Sequence, residues 1–355
     1  GLALTALGNK TAAARHFLAA LRQYPIDDAR ARADLHSHMA QTLIAIRSDD
    51  ESNPSSTPSA DYSGTYLSNS AGYVALVEWH SLRALVRECK RPAVYVTLAK
   101  VYTATQRYDM AVEAYATALK RAADPVLRKN HPIDEPSARN MLGLAIQERL
   151  SICQSEAERG GGGGGPVLRT VSVSFPGTVD PSQPEYAALF QVTERTVIAS
   201  CADSLEHDMR RALAEYQACI DLNPRYFVAY VNRGSLYRAN GFVDLAAESH
   251  EQALALDPTH GALLQNLASL SLERGRHREA LAYSERSYEA EGAHSEEIVA
   301  GHQRTLEHVA GWLHGAGEGD SRVRKPVEAL RMYELIFQIG AAEPRVLAGM
   351  VDAFG

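Results

Sequence analysis

A period of 34 residues constrains this chain more than any other feature. The stretch from Phe227 to His260 aligns without a gap over the stretch from Gly261 to His294. Asn232 falls on Asn266, Gly234 on Ala268, Gly241 on Gly275 and Ala246 on Ala280. In each copy the spacing predicts two helices. Tyr230, Gly234 and Tyr237 share one face of the first, and Ala246, His250, Ala253 and Leu254 one face of the second. Small residues at 234 and 246 let two backbones approach, and large ones fill the space around the crossing. Gly241 supplies the turn, and Pro258 cannot continue a helix. Such a hairpin cannot bury its apolar face alone, so copies must stack into an array.

Further copies follow in the same register. Tyr95, Leu98, Ala99, Tyr102, Ala111, Tyr115 and Ala118 match, with the closing Pro125 two residues late. Gly8, Ala13, Phe17, Ala20 and Pro25 give a turn and second helix, and Ala212, Tyr216, Cys219 and Pro224 another. Ala329, Tyr333 and Phe337 mark one more. Leu142 and Gly143 mark a first helix. The pattern resembles the tetratricopeptide repeat, most strongly over 206–292. The resemblance implies an all-α, right-handed superhelical solenoid of antiparallel helix pairs, whose concave face, lined by first helices, holds extended or helical peptides. Both ends fall inside a repeat, so a fragment of something longer is expected.

Three stretches break the period: the Ser/Thr/Pro cluster at 48–70, the run "GGGGGG" at 160–165, and "HGAGEGDS" near 315–324. They divide the chain into helices at 1–47, repeats at 71–158, a linker at 159–183, repeats at 184–314 and closing helices at 325–355. One reading sets every insertion between the two helices of a repeat, where no stacking surface is disturbed. The competing reading makes 184–204 a first helix and leaves 136–158 odd. A phosphate-binding loop needs a strand before it and a Lys-Ser or Lys-Thr after it; here a helix precedes the glycines and Pro166 follows. The run reads as a flexible tether. Beyond it, 167–175 alternates valines with polar residues; it reads as an extended loop ending at Pro176, or alternatively as a strand along the groove or paired with a partner's strand.

Composition narrows the function. Hydrophobic residues are 45% and charged residues 22%, as in a chain that buries a core, and no apolar run approaches the length of a membrane span. The net charge of -7 is uneven, yet it makes no basic stripe of the nucleic-acid-binding kind. Cys89, Cys153, Cys201 and Cys219 form no CxxC pair, so reduced thiols in an intracellular, cytoplasmic protein are expected. His36 and His38, like His302 and His308, diverge around a helix and make poor metal pairs. No catalytic, metal or cofactor motif is found, and the chain is read as no enzyme.

Some members of the resembled family clamp a C-terminal carboxylate with Lys and Asn of one first helix. Here Asn232 and Asn266 fill the Asn place, but Val228 and Ala262 stand where the lysine belongs, so chaperone-type clamping is not expected. Asparagines in successive repeats also resemble the peptide-gripping ladder of the solenoids on O-linked sugar transferases. An amide both donates and accepts, which suits backbone recognition. The matching positions elsewhere hold Thr97 and Met141, and ordinary polar surface residues would fit as well. The expectation is a scaffold for other proteins, with Asn232 and Asn266 in its groove; the alternative is the substrate-recruiting region of a larger enzyme.

Overall fold

The computed structural model describes residues 13, 16–17, 19–20, 34–42, 81, 91–158, 166–173, 192–200, 205–291, 295–315 and 326–339. The 48–70 cluster, the glycine run, 174–191 and the last residues lie outside that set. Two compact units divide at Leu222/Asn223.

In the first unit, α1 (Pro92–Ala104) and α2 (Tyr108–Ala122) form a hairpin. Pro92 starts α1 where a missing N–H costs nothing. The turn needs a left-handed residue, and Gln106 supplies it at φ 59°. Gly241 (φ 79°) and Gly275 (φ 69°) do the same at the equivalent turns of the second unit, without the strain of a β-carbon. All three turns close alike: the N–H of Arg107, Phe242 and Arg276 each donates five residues back, to Tyr102, Tyr237 and Ser271.

The closing proline at 125 is late because it opens an additional short helix, α3 (Pro125–Asn130), whose cap Asp124 accepts from the N–H of Val126 and Leu127. Then comes α4 (Glu135–Glu158). Its packing partner is α5 (Leu205–Leu222), on the far side of the long insertion. Gly143 explains the fit: a Cβ there would stand 2.7 Å from the Tyr216 ring. Polar bonds fix the register. The Tyr216 hydroxyl donates to Gln147 at 2.8 Å, and Arg139 meets Glu215 at 3.0 Å. Arg149, buried, binds both oxygens of buried Asp208 and reaches Asp109 at 3.2 Å. The insertion therefore separates the helices of one pair.

Within that insertion lie β1 (Pro166–Val173) and β2 (Val192–Ser200), an antiparallel ribbon running from Pro166 opposite Ser200 to Val173 opposite Val192, with one irregularity at Val167/Leu168. β2 packs on α2 and α4. Two expectations are corrected here. The loop reading of 167–175 gives way to a strand as far as Val173, and no first helix occupies 192–200, where the β-branched Val192, Thr193, Thr196, Val197 and Ile198 favour a strand. The helical array otherwise has the expected architecture.

The second unit stacks α6 (Phe227–Ala239) with α7 (Val243–Leu256), α8 (Gly261–Glu273) with α9 (His277–Glu291), and α10 (Glu296–Gly315) with α11 (Pro326–Gln338). Ala246, Ala247 and Leu270 bury the α7–α8 contact, with Tyr237 and Val243 packed on them. Leu306, Val309, Ala329, Tyr333 and Ile336 bury the last pair. Its insertion too falls between the helices of one pair. No described helix is long and apolar enough to cross a membrane. Cys219 is a buried free thiol, whereas Cys153 is disulfide-bonded. That corrects the expectation of uniformly reduced cysteines and removes its support for a cytoplasmic location.

Candidate functional site

First helices have two faces. One meets the second helix; the other is available to a ligand. On α1 the available face carries Ala93, Val96, Thr97 and Lys100, at helical spacings of three, one and three. On α4 it carries Ser137, Ala138 and Met141. Between these faces lies a cavity of about 420 Å³, walled by Pro132, Ile133 and Asp134 from the loop after α3. Gln41, from the helical residues 34–42, and Tyr115 complete the lining.

The floor is apolar: Ala93, Val96, Ala138, Met141 and Ile133. The rim is polar, and its groups are differently committed. Asp134 caps α4 by accepting from the Ser137 N–H at 3.3 Å. The Thr97 hydroxyl donates back to the Ala93 carbonyl at 2.9 Å, which leaves its oxygen to accept. Lys100 is exposed. An apolar slot with a few convergent polar groups, of this size, suits two or three side chains of a peptide. Burial raises the Tyr115 phenol well above its ordinary range, so that group stays neutral.

Thr97 and Met141 hold the register that Asn232 and Asn266 hold in the second unit, and the structure brings the first pair together around this cavity. The asparagines do not line it. Both are half-buried on α6 and α8, and Asn232 already has an interaction partner. The sequence had no signal for the wall: α3 and the loop at 131–134 are extra to the period. Where a clamp lysine would stand, Val228 and Ala262 are exposed. A second cavity, of about 460 Å³, lies against α2, α4 and α5 and is lined by charges including Asp109, Glu113, Lys120 and Arg211. Arg149 also faces it, but is committed to Asp208 and Asp109.

Histidines take structural places. His250 is buried against Gly234, and His302 contacts Ser284. His308 stacks on His277 instead, so the α10 pair diverges as its spacing required. No group of three or more His, Cys, Asp or Glu side chains among the described residues has the geometry to hold a metal.

The family model of the tetratricopeptide repeat matches residues 92–125 and 228–260. Comparison with curated proteins finds no match. Among solved structures, the C-terminal part of a TPR repeat-containing protein from Cytophaga hutchinsonii aligns with 98% of this chain and 96% of its own, at 11% identity and a TM-score of 0.56. A tetratricopeptide repeat protein from Parabacteroides merdae covers 100% and 96%, at 11% identity and a TM-score of 0.47. YrrB, a TPR protein with an unusual peptide-binding site, covers 79% and 95%, at 12% identity and a TM-score of 0.44. The Cytophaga likeness supports the fold. With two stretches matched by the family model and the same small-residue-against-ring hairpin recurring in both units, this chain carries tetratricopeptide repeats at 92–125 and 228–260, and each unit stacks helix pairs as helical solenoids do.

Proposed function

We propose that the chain is a non-enzymatic interaction scaffold that receives an extended or helical segment of a partner protein in the cleft between α1 and α4. One observation carries the reading: the cleft opens on the first-helix face, with an apolar floor and a polar rim. The apolar floor would supply affinity and the rim orientation. Asn232 and Asn266, on first helices of the second unit, would serve there as backbone-binding rungs, each worth about 0.5–1.5 kcal/mol per bond.

A phage-displayed peptide library selected on the immobilised full chain tests this. Enriched peptides are expected to lose at least tenfold in affinity for Val96→Arg, while that variant keeps its helical circular dichroism. A loss of affinity in Asn232→Ala/Asn266→Ala would assign the second unit a binding surface of its own. Failure to enrich any peptide, or binding indifferent to Val96→Arg, would overturn the cleft as the site.

A further inference from the structure

The repeat register sets a small residue on the first helix of a hairpin against a large ring on the second. In the first unit the rings are tyrosines: Tyr115, sixteen residues after Ala99, and Tyr216, against Gly143. The second unit departs from this. Gly234 faces His250, whose Cδ2 would lie 2.2 Å from a Cβ at 234. In the following repeat the ring position is Ser284, and the missing volume comes from His302, which stands 34 residues after Ala268 where a small residue belongs. Its Nδ1 lies 2.8 Å from the Ser284 hydroxyl, and its ring stacks on Tyr288 with centroids 5.0 Å apart. The two histidines are 1% and 5% exposed, so each is a packing element.

Neither can be charged comfortably. The His250 Nε2–H donates to the Val231 carbonyl at 3.3 Å, and its buried Nδ1 has no partner. A second proton would place an N–H where nothing accepts it. The charge acting on His250 from α6 is Arg238, itself cationic, and none acts from α8. No charged group from α8, α9 or α11 acts on His302. A third ring, His277 on α9, stacks on His308 and on Trp312 of α10, its Nδ1 buried without a partner; among the described residues His308 is the ionisable group acting on it.

We propose that the second unit is an acid-sensitive module: protonation of His250 and His302 loosens the α6–α7 crossing and the α9–α10 contact, while the tyrosine-built pairs from α1 to α5 hold. Burial lowers both histidines from their ordinary 6.5; at His250 the bond to the Val231 carbonyl opposes it in part and Arg238 adds to it. The sign follows from linkage. Above pH 6.5 the rings are neutral folded and unfolded, so stability is full. As pH falls below 6.5 the unfolded chain takes up protons that the folded one refuses, and stability is lost until the folded rings protonate too. Within that window each ring shifts the unit's folding equilibrium by up to about tenfold per pH unit. In the first unit no described histidine is buried at the α1–α2 or α4–α5 crossing. His36 is buried within 34–42; His38, its pKa lowered by burial and by Arg91, bonds Arg91 ahead of α1 at 3.1 Å; His16, His131 and His207 are not buried.

Hydrogen exchange of the full chain, corrected for intrinsic rates, reads the two units separately. Between pH 7.5 and 5.5, protection of α6, α7, α9 and α10 is expected to fall at least tenfold, with α2, α4 and α5 unchanged. His250→Phe, which puts an aromatic ring where Tyr216 sits in the neighbouring repeat, is expected to remove the pH dependence at α6–α7. Histidine NMR of the wild type provides a reading independent of any variant: the two buried rings are expected to titrate well below 6.5. Equal loss in both units, or buried rings titrating with ordinary midpoints, would overturn the proposal.

Discussion

Gly234→Ala is the sharpest perturbation of the hairpin crossing. An added Cβ would lie 2.2 Å from Cδ2 and 2.4 Å from Nε2 of His250, and 3.1 Å from the Ala246 carbonyl oxygen. His250 is 1% exposed and cannot swing into solvent, so either the ring or the helix backbone must shift. Overpacking of this kind costs about 1–3 kcal/mol. Displacing the ring also costs the bond to Val231, worth ~0.5–1.5 kcal/mol. Against this, alanine improves helix propensity by roughly 1 kcal/mol. The net expectation is a loss of about 1–3 kcal/mol, read as a lower urea midpoint by circular dichroism at unchanged slope. Gly311→Ala is the control: nothing lies within 4 Å of its Cβ position, so it should stabilise by about 0.5–1 kcal/mol. His250→Ala should remove the clash, so that Gly234→Ala becomes neutral or favourable in that background. A Gly234→Ala midpoint equal to or above the parent's would refute the seating of His250 against Gly234.

Other consequences are simpler to check. Gln106→Gly should stabilise by up to ~1 kcal/mol in urea unfolding, since only glycine takes a left-handed turn without strain. Arg149→Met should destabilise by about 3–5 kcal/mol in the same assay, because Asp208 is left charged and buried. Burial pushes the Cys219 thiol up to about 11, so at pH 8 it should react with a thiol reagent only after unfolding. Replacing the glycine run by a shorter Gly-Ser linker should leave the thermal midpoint nearly unchanged, because closure entropy varies slowly with length and the α4–α5 contacts persist.

What could be read in the sequence was whatever repeats. Gly143 and Tyr216 were each assignable by register, and their contact across the insertion follows from those assignments. Features extra to the period escaped. The second strand was masked by the apolar run before it, and Gln106 in a glycine's conformation by its ordinary side chain. The exchange of ring and small residue between Ser284 and His302 departs from the very pattern used to find the repeats. The candidate cleft was less legible: register pointed to Asn232 and Asn266, and marked Thr97 and Met141 only as places where that asparagine pattern is interrupted. The wall that turns one pair of positions into a cavity comes from α3 and the loop at 131–134, which no period encodes.

The most direct test of the cleft is photo-crosslinking with a peptide from the display selection. A benzophenone side chain is placed in turn at Met141, inside the cleft, and at Glu113, beside the charged cavity on the second-helix side. The account predicts an ultraviolet-dependent adduct from position 141, competed by unlabelled peptide, and none from position 113. A competed adduct from 113 with none from 141 would contradict it and move the binding surface to the opposite face.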